Sequence, residues 1–223
     1  MAAGQGHSPD SREALEKLCK TYWYPLYSFV RRRGHTVEEA EDLTQAFFER
    51  FLEKSYLNSV EAEKGRFRSF LLVCMKHFLA NERERAQTQR RGGKFTLISF
   101  DAQDAEDRYA MEPKDHRTPE AAFERRWAET LLATALLRVR DECDAGKHDR
   151  FEQLKMFLVQ ENGAGSYAEL SARMGLTEVA LRSIVHRLRK RYGELVRAEI
   201  ADTVTDGRSV DEEMRYLFEI LGN

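Results

Sequence analysis

Cysteine is scarce, with three residues at Cys19, Cys74 and Cys143, and their odd number and wide spacing fit reduced thiols better than a disulfide framework. Glycine (13) and proline (4) are also few, which argues against a fibrous or low-complexity chain and favours helices joined by short connections. Strand signals are nearly missing. The one β-like run, residues 95–100, has nothing to pair with and reads as extended linker. No apolar run is long enough to span a bilayer, because the most apolar window, residues 67–80, is interrupted by Arg68, Lys76 and His77. The first ten residues lack the basic start and apolar core of a signal peptide, so a cytoplasmic location is expected. Phosphate loops, zinc-ligand spacings and nucleophile–base motifs are missing too. The expectation is therefore a protein that is not an enzyme, with no metal, no cofactor and no small-molecule substrate.

What the chain does have is charge, at 33% of 223 residues, and that charge is segregated. The net value of −2 conceals alternating blocks. Residues 36–63 carry eight acids against two bases, whereas residues 64–94 carry nine bases against Glu82 and Glu84. Residues 99–124 turn acidic, 166–197 basic, and the tail from Glu199 acidic again. Two separate segments can each neutralise phosphates, which points to two contacts with nucleic acid.

Hydrophobic periodicity predicts an all-α fold of two small helical domains, residues 10–92 and 119–200, joined by a flexible acidic linker at 93–118 and followed by an extension at 201–223. The first helix starts at Asp10, spaced from Glu13 as in a capping box. It lines up Leu15, Leu18, Tyr22, Leu26 and Phe29, kinks at Pro25 and ends at Gly34 after Arg31, Arg32 and Arg33. The second is capped by Thr36 and Glu39 and buries Ala40, Leu43, Phe47 and Phe51. The third buries Phe67, Phe70, Leu71, Cys74 and Phe78 and stops at Gly92 and Gly93. Thr118 and Pro119 open the second domain, where Phe123, Trp127, Leu131 and Ala135 recur every four residues toward Gly146, and a shorter helix follows through Phe151, Leu154 and Leu158. In the tail, Ser209 and Glu212 cap a helix whose stripe of Val210, Met214, Leu217 and Leu221 is expected to cover the second domain.

The most specific pattern is a helix-turn-helix at residues 166–191. Ser166 and Glu169 cap a short helix, Gly175 supplies the turn, Leu176 fills the angle, and Thr177 caps a longer helix with Leu181, Ile184, Val185, Leu188, Tyr192 and Leu195 as its buried row. The opposite face gathers Val179, Ser183, His186 and Lys190, flanked by Arg182 and Arg187, a stripe suited to the major groove, with Thr177 and Glu178 at the N-terminal end that meets base edges.

With these motifs in place, the chain resembles RNA polymerase sigma factors of the extracytoplasmic-function group over about residues 10–200. Residues 38–48 (EEAEDLTQAFF) are similar to the family's acidic helix, residues 65–72 (GRFRSFLL) to its aromatic third-helix motif with phenylalanine where tryptophan is usual, and residues 166–189 to its promoter-reading helix-turn-helix. The resemblance implies that the acidic helix binds core RNA polymerase, and Glu38, Glu41, Asp42, Gln45 and Glu49 do line one side of it, away from the phenylalanines. It also implies that the third helix and the loop before it hold the non-template strand of melted promoter DNA. Lys64, Arg66, Lys76, His77, Asn81, Arg83 and Arg85 are the candidates for that role, with lysine and arginine tracking phosphates and His77 and Asn81 addressing unstacked bases. The upstream promoter element would be read by the second helix of the helix-turn-helix. The implied partners are core polymerase and promoter DNA, with an anti-sigma factor or other regulator left open. The competing reading is a helix-turn-helix regulator that acts without being a polymerase subunit.

Overall fold

The structure, a computed structural model, describes residues 9–53, 67–88, 102–111, 117–143, 148–159, 167–204 and 207–222. Among these residues all regular structure is helical and no strand occurs. The helices are α1 (Pro9–Arg32), α2 (Val37–Glu53), α3 (Phe67–Thr88), α4 (Ala102–Ala110), α5 (Pro119–Cys143), α6 (His148–Val159), α7 (Tyr167–Met174), α8 (Glu178–Ala201) and α9 (Gly207–Gly222). Among the described residues no helix is long and apolar enough to cross a membrane. The run at 95–100, Lys64, Arg66, Ser166 and Gly146 lie outside the described residues.

Two compact units divide the chain. One contains α1–α4, α5 as far as Thr130, and α9; the other is Leu131–Ala201. This differs from the boundary expected at 93–118, because the first turns of α5 pack with the N-terminal helices. Lys76 of α3 pairs with Glu120 at 2.8 Å, and Arg68 pairs with Glu124. The segment read as a structureless linker contains α4, which docks on α1. Its apolar content is too small to register as periodicity, and polar contacts hold it. Arg31 donates from Nε and Nη2 to the two Glu106 oxygens at 3.0 and 2.9 Å, the Tyr27 hydroxyl donates to the same carboxylate, and the Arg108 guanidinium lies 3.9 Å from the Tyr24 ring centre.

In the first unit α1 is wrapped rather than half-buried. Residues 22–30 are all buried; α2 and α4 pack on the helix, and Tyr22 also meets Phe67 of α3 and Trp127 of α5. Pro25 lies within the continuous helix. Thr36 and Glu39 exchange the reciprocal bonds of a capping box, Glu39 N–H to Thr36 Oγ1 at 3.3 Å and Thr36 N–H to Glu39 Oε2 at 3.1 Å, a device worth about 1 kcal/mol. Phenylalanines from α2 and α3 then interlock, Phe47 against Phe78 with ring centres 5.7 Å apart and Phe51 against Phe67 at 6.4 Å. The buried stripe of α3 is turned relative to the expected row. Arg68, Leu71, Leu72, Met75, Phe78 and Leu79 are buried, while Phe67, Phe70 and Cys74 are only partly so.

The tail helix also departs from expectation. It starts at Gly207, two residues before Ser209, whose side chain lies outside the described residues, and it belongs to the first unit rather than to the second. Val210, Glu213 and Leu217 are its buried residues. The apolar stripe was legible, but such a stripe marks which face is covered and not by what.

In the second unit, Leu154 and Phe157 of α6, Leu170 of α7, and Leu181 and Val185 of α8 form one cluster, with Tyr167, Met174, Ile184 and Leu188 packed around it. Phe157 takes the deep position expected of Leu158, which is only half-buried. Helix α7 ends in a Schellman turn. Leu176 N–H reaches Ser171 O at 2.9 Å, Gly175 N–H reaches Ala172 O at 3.3 Å, and Gly175 adopts φ +66°. A Cβ added at Gly175 would meet nothing within 4 Å, so backbone conformation alone opposes substitution. Gly175→Ala should cost about 1–2 kcal/mol in denaturant unfolding, and a neutral result would show that the turn tolerates the left-handed strain.

Candidate nucleic-acid interface

On α8 the expected outward face is the observed one. The Thr177 hydroxyl accepts Ala180 N–H at 3.2 Å and fixes the first turn, and Leu181, Val185 and Leu195 turn inward. Thr177, Glu178, Val179, Arg182, Ser183, His186, Arg187 and Lys190 are all exposed, Val179 at 79%. An apolar side chain so exposed, among cations and a hydroxyl, is chemistry that fits a thymine methyl between phosphates. Arg182 is partly engaged, its guanidinium 4.3 Å from the Tyr167 ring centre and 3.6 Å from Glu178. Two neighbouring arginines serve the fold instead. Arg189 donates twice to the Phe157 carbonyl, at 2.9 and 2.7 Å, satisfying the end of α6. Arg191 clamps Glu142 with two bonds of 2.7 Å, which holds the Glu142 carboxyl below its usual range.

The candidates on α3 separate into engaged and outward groups. His77, Asn81 and Arg83 are exposed, whereas Lys76 is paired with Glu120 and Arg85, though exposed, with Glu82 at 3.0 Å. His77 and Asn81, one turn apart, form the polar rim of a crevice of about 130 Å³ between α2 and α3. Phe47, Phe51, Phe78 and Cys74 make its floor and Arg50 closes one side. An adjoining recess is lined by Arg50, Asn81, Glu84 and Arg85. The crevice alone is the size for a single flat ring, and the adjoining recess of about 340 Å³ lies at the lower end of the roughly 300–1,000 Å³ of small-molecule sites. Burial pushes the Cys74 thiol up. Sequence reasoning missed Arg50, although a signal existed, since it is the only base in α2.

Along α2, Glu38 and Asp42 are exposed and Glu41, Gln45 and Glu49 partly so, with Gln45 Nε2 donating to Glu49 Oε1 at 2.9 Å. The Glu41 carboxyl is raised, first by burial and then by the charges of Glu38, Asp42 and Glu106. This face carries mutual repulsion that a cationic partner would relieve. Glu106 behaves oppositely. The hydrogen bond from Arg31, assisted by that from Tyr27, holds its carboxyl low against the effect of burial. Because its value in docked α4 lies below that of the undocked group, docking is favoured above the ordinary glutamate range near ~4.3 and weakens as pH falls through the docked value. In an NMR titration the Ala105 and Tyr109 amides should move toward undocked shifts on acidification, and Glu106→Gln should abolish that movement. A persistent transition in Glu106→Gln would assign it to another carboxylate.

Among the described residues no group of three or more His, Cys, Asp or Glu side chains converges as metal ligands would. No protein-family model matches the chain, and no curated protein or solved structure is significantly similar to it.

Proposed function

We propose that this chain is a transcription initiation factor of the sigma type, which binds core RNA polymerase and directs promoter recognition and melting. The observation that carries the reading is the outward face of α8, where Val179, Ser183, His186, Arg187 and Lys190 are exposed together on a capped helix held by a glycine turn. That face supports duplex recognition in the major groove. Two further surfaces supply what a duplex-binding regulator does not need. The acidic side of α2 suits a cationic protein surface, and the crevice rimmed by His77 and Asn81 suits an unstacked base beside a backbone met by Arg83 and Arg85.

The decisive experiment is reconstitution of the full chain with core polymerase on a library of bacterial promoter fragments, reading run-off transcripts. Specific, factor-dependent transcripts are expected, and the combined substitution Glu38→Lys, Glu41→Lys and Asp42→Lys should abolish them and polymerase binding alike. A regulator that works through duplex binding alone would leave α2 idle, so tight duplex binding without any association with core polymerase would overturn the initiation-factor reading in its favour.

A further inference from the structure

The charge pattern puts Arg68 among the bases of α3, yet its guanidinium is 2% exposed. It pairs with Glu124 of α5 and with Glu213 of α9, itself 1% exposed, and lies 4.4 Å from the Trp127 ring centre and 4.5 Å from that of Tyr216. Two turns further along α3, Lys76 Nζ is 2.8 Å from Glu120 Oε1, a contact that is the first cause of that carboxyl's lowered pKa. Two cations of the helix assigned to a nucleic-acid strand are thus occupied by three carboxylates from α5 and α9. A carboxylate on a lysine competes directly with a phosphate. Helix α9 bridges the two helices involved, with Glu213 on Arg68 of α3 and its C-terminal end on α5. Val210 and Leu217 are buried, and Arg125 of α5 donates to the Ile220 carbonyl at 3.4 Å, satisfying an end carbonyl of α9.

We propose that α9 is an intramolecular clasp which keeps the start of α5 on α3, so that Glu120 masks Lys76 and the strand-binding face opens only when α9 lets go. The inference rests on the reading of α3 as strand-binding. Thermodynamic linkage gives it two measurable sides. Closure lowers the affinity for a single strand, and a bound strand loosens α9 by the same factor.

The test is fluorescence anisotropy of a single-stranded DNA oligonucleotide with the full chain, comparing wild type, Glu213→Gln and Leu217→Ala. Both substitutions weaken α9 and lie outside the surfaces assigned to DNA and polymerase. Each should bind the oligonucleotide about tenfold more tightly, with the slope of log affinity against log salt steeper by about 0.7 for one regained phosphate contact. In wild type, saturating oligonucleotide should speed hydrogen exchange of the α9 amides. Equal affinities and slopes in all three proteins overturn the clasp. If Leu217→Ala loses helicity, Glu213→Gln and the wild-type exchange decide, and unchanged α9 exchange overturns it. Factor-dependent transcripts alongside equal affinities sink the clasp and leave the initiation-factor reading standing. Tighter strand binding in the variants, with no polymerase association in any of the three, does the reverse.

Discussion

Replacing Arg68 by alanine is expected to cost about 3–5 kcal/mol, the loss typical when one partner of a buried ion pair is removed. Glu213 would keep its burial and lose its guanidinium, and the two rings that flank Arg68 would lose the flat cation between them. Lysine should not rescue the site, because a compact ammonium offers neither the planar fork that meets two carboxylates nor a face for Trp127 and Tyr216. The double replacement Arg68→Met with Glu213→Met should recover part of the loss, since the interior would then contain fewer uncompensated charges. Both tryptophans of the chain, Trp23 and Trp127, lie in the first unit, so tryptophan fluorescence in a denaturant titration reads this unit selectively. A single substitution costing less than about 1 kcal/mol would show that water reaches the cluster and that the ion pair behaves as a surface one. Against a typical domain stability of about 5–15 kcal/mol, the expected loss leaves the first unit marginal.

The contrast between Arg68 and α8 shows what kind of information the sequence carried. The devices that cap and turn the α7–α8 hairpin act within a few residues. Thr177 reaches Ala180, Leu176 reaches Ser171, and the buried row repeats with the helical period, so the outward face could be read directly. The capping box at Thr36 and Glu39 and the cap at Thr118 were legible for the same reason. Arg68 sits in the same basic block as His77 and Arg83; its spacing from Leu71, Leu72, Met75 and Leu79 puts it on the buried row, but nothing local says what would pair with its charge there. Its fate is decided by Glu124, 56 residues away, and by a carboxylate near the end of the chain. Helix α4 was missed on the same grounds, because its docking depends on Arg31, 75 residues from Glu106. Segregated charge identified which segments carry cations, but not which of those cations are consumed by the fold. Arg85 has its partner Glu82 three residues away on the same helix, a pair the sequence shows, whereas the partner of Lys76, Glu120, appears only in three dimensions.

The same division between fold and function can be tested on α8 by two substitutions six residues apart. Leu181→Ala removes a fully buried side chain from the cluster it shares with Leu154, Phe157, Leu170 and Val185, and should cost about 2–5 kcal/mol. Small units bury proportionally little surface and have small margins, so this loss should melt α6–α8 at a distinctly lower temperature in far-ultraviolet circular dichroism. Arg187→Ala changes an exposed residue and should leave that melting within about 0.5 kcal/mol of wild type. Its effect should appear on DNA. Duplex affinity should fall for all sequences alike, and the salt slope should shrink by about 0.9 if the guanidinium meets one phosphate. Loss of affinity at one base position only would instead place Arg187 on a base edge, where a bidentate contact is worth about 1–3 kcal/mol of discrimination. A large drop in melting temperature with Arg187→Ala, or unchanged DNA binding, would remove this face of α8 from the interface, and with it the observation on which the functional reading depends.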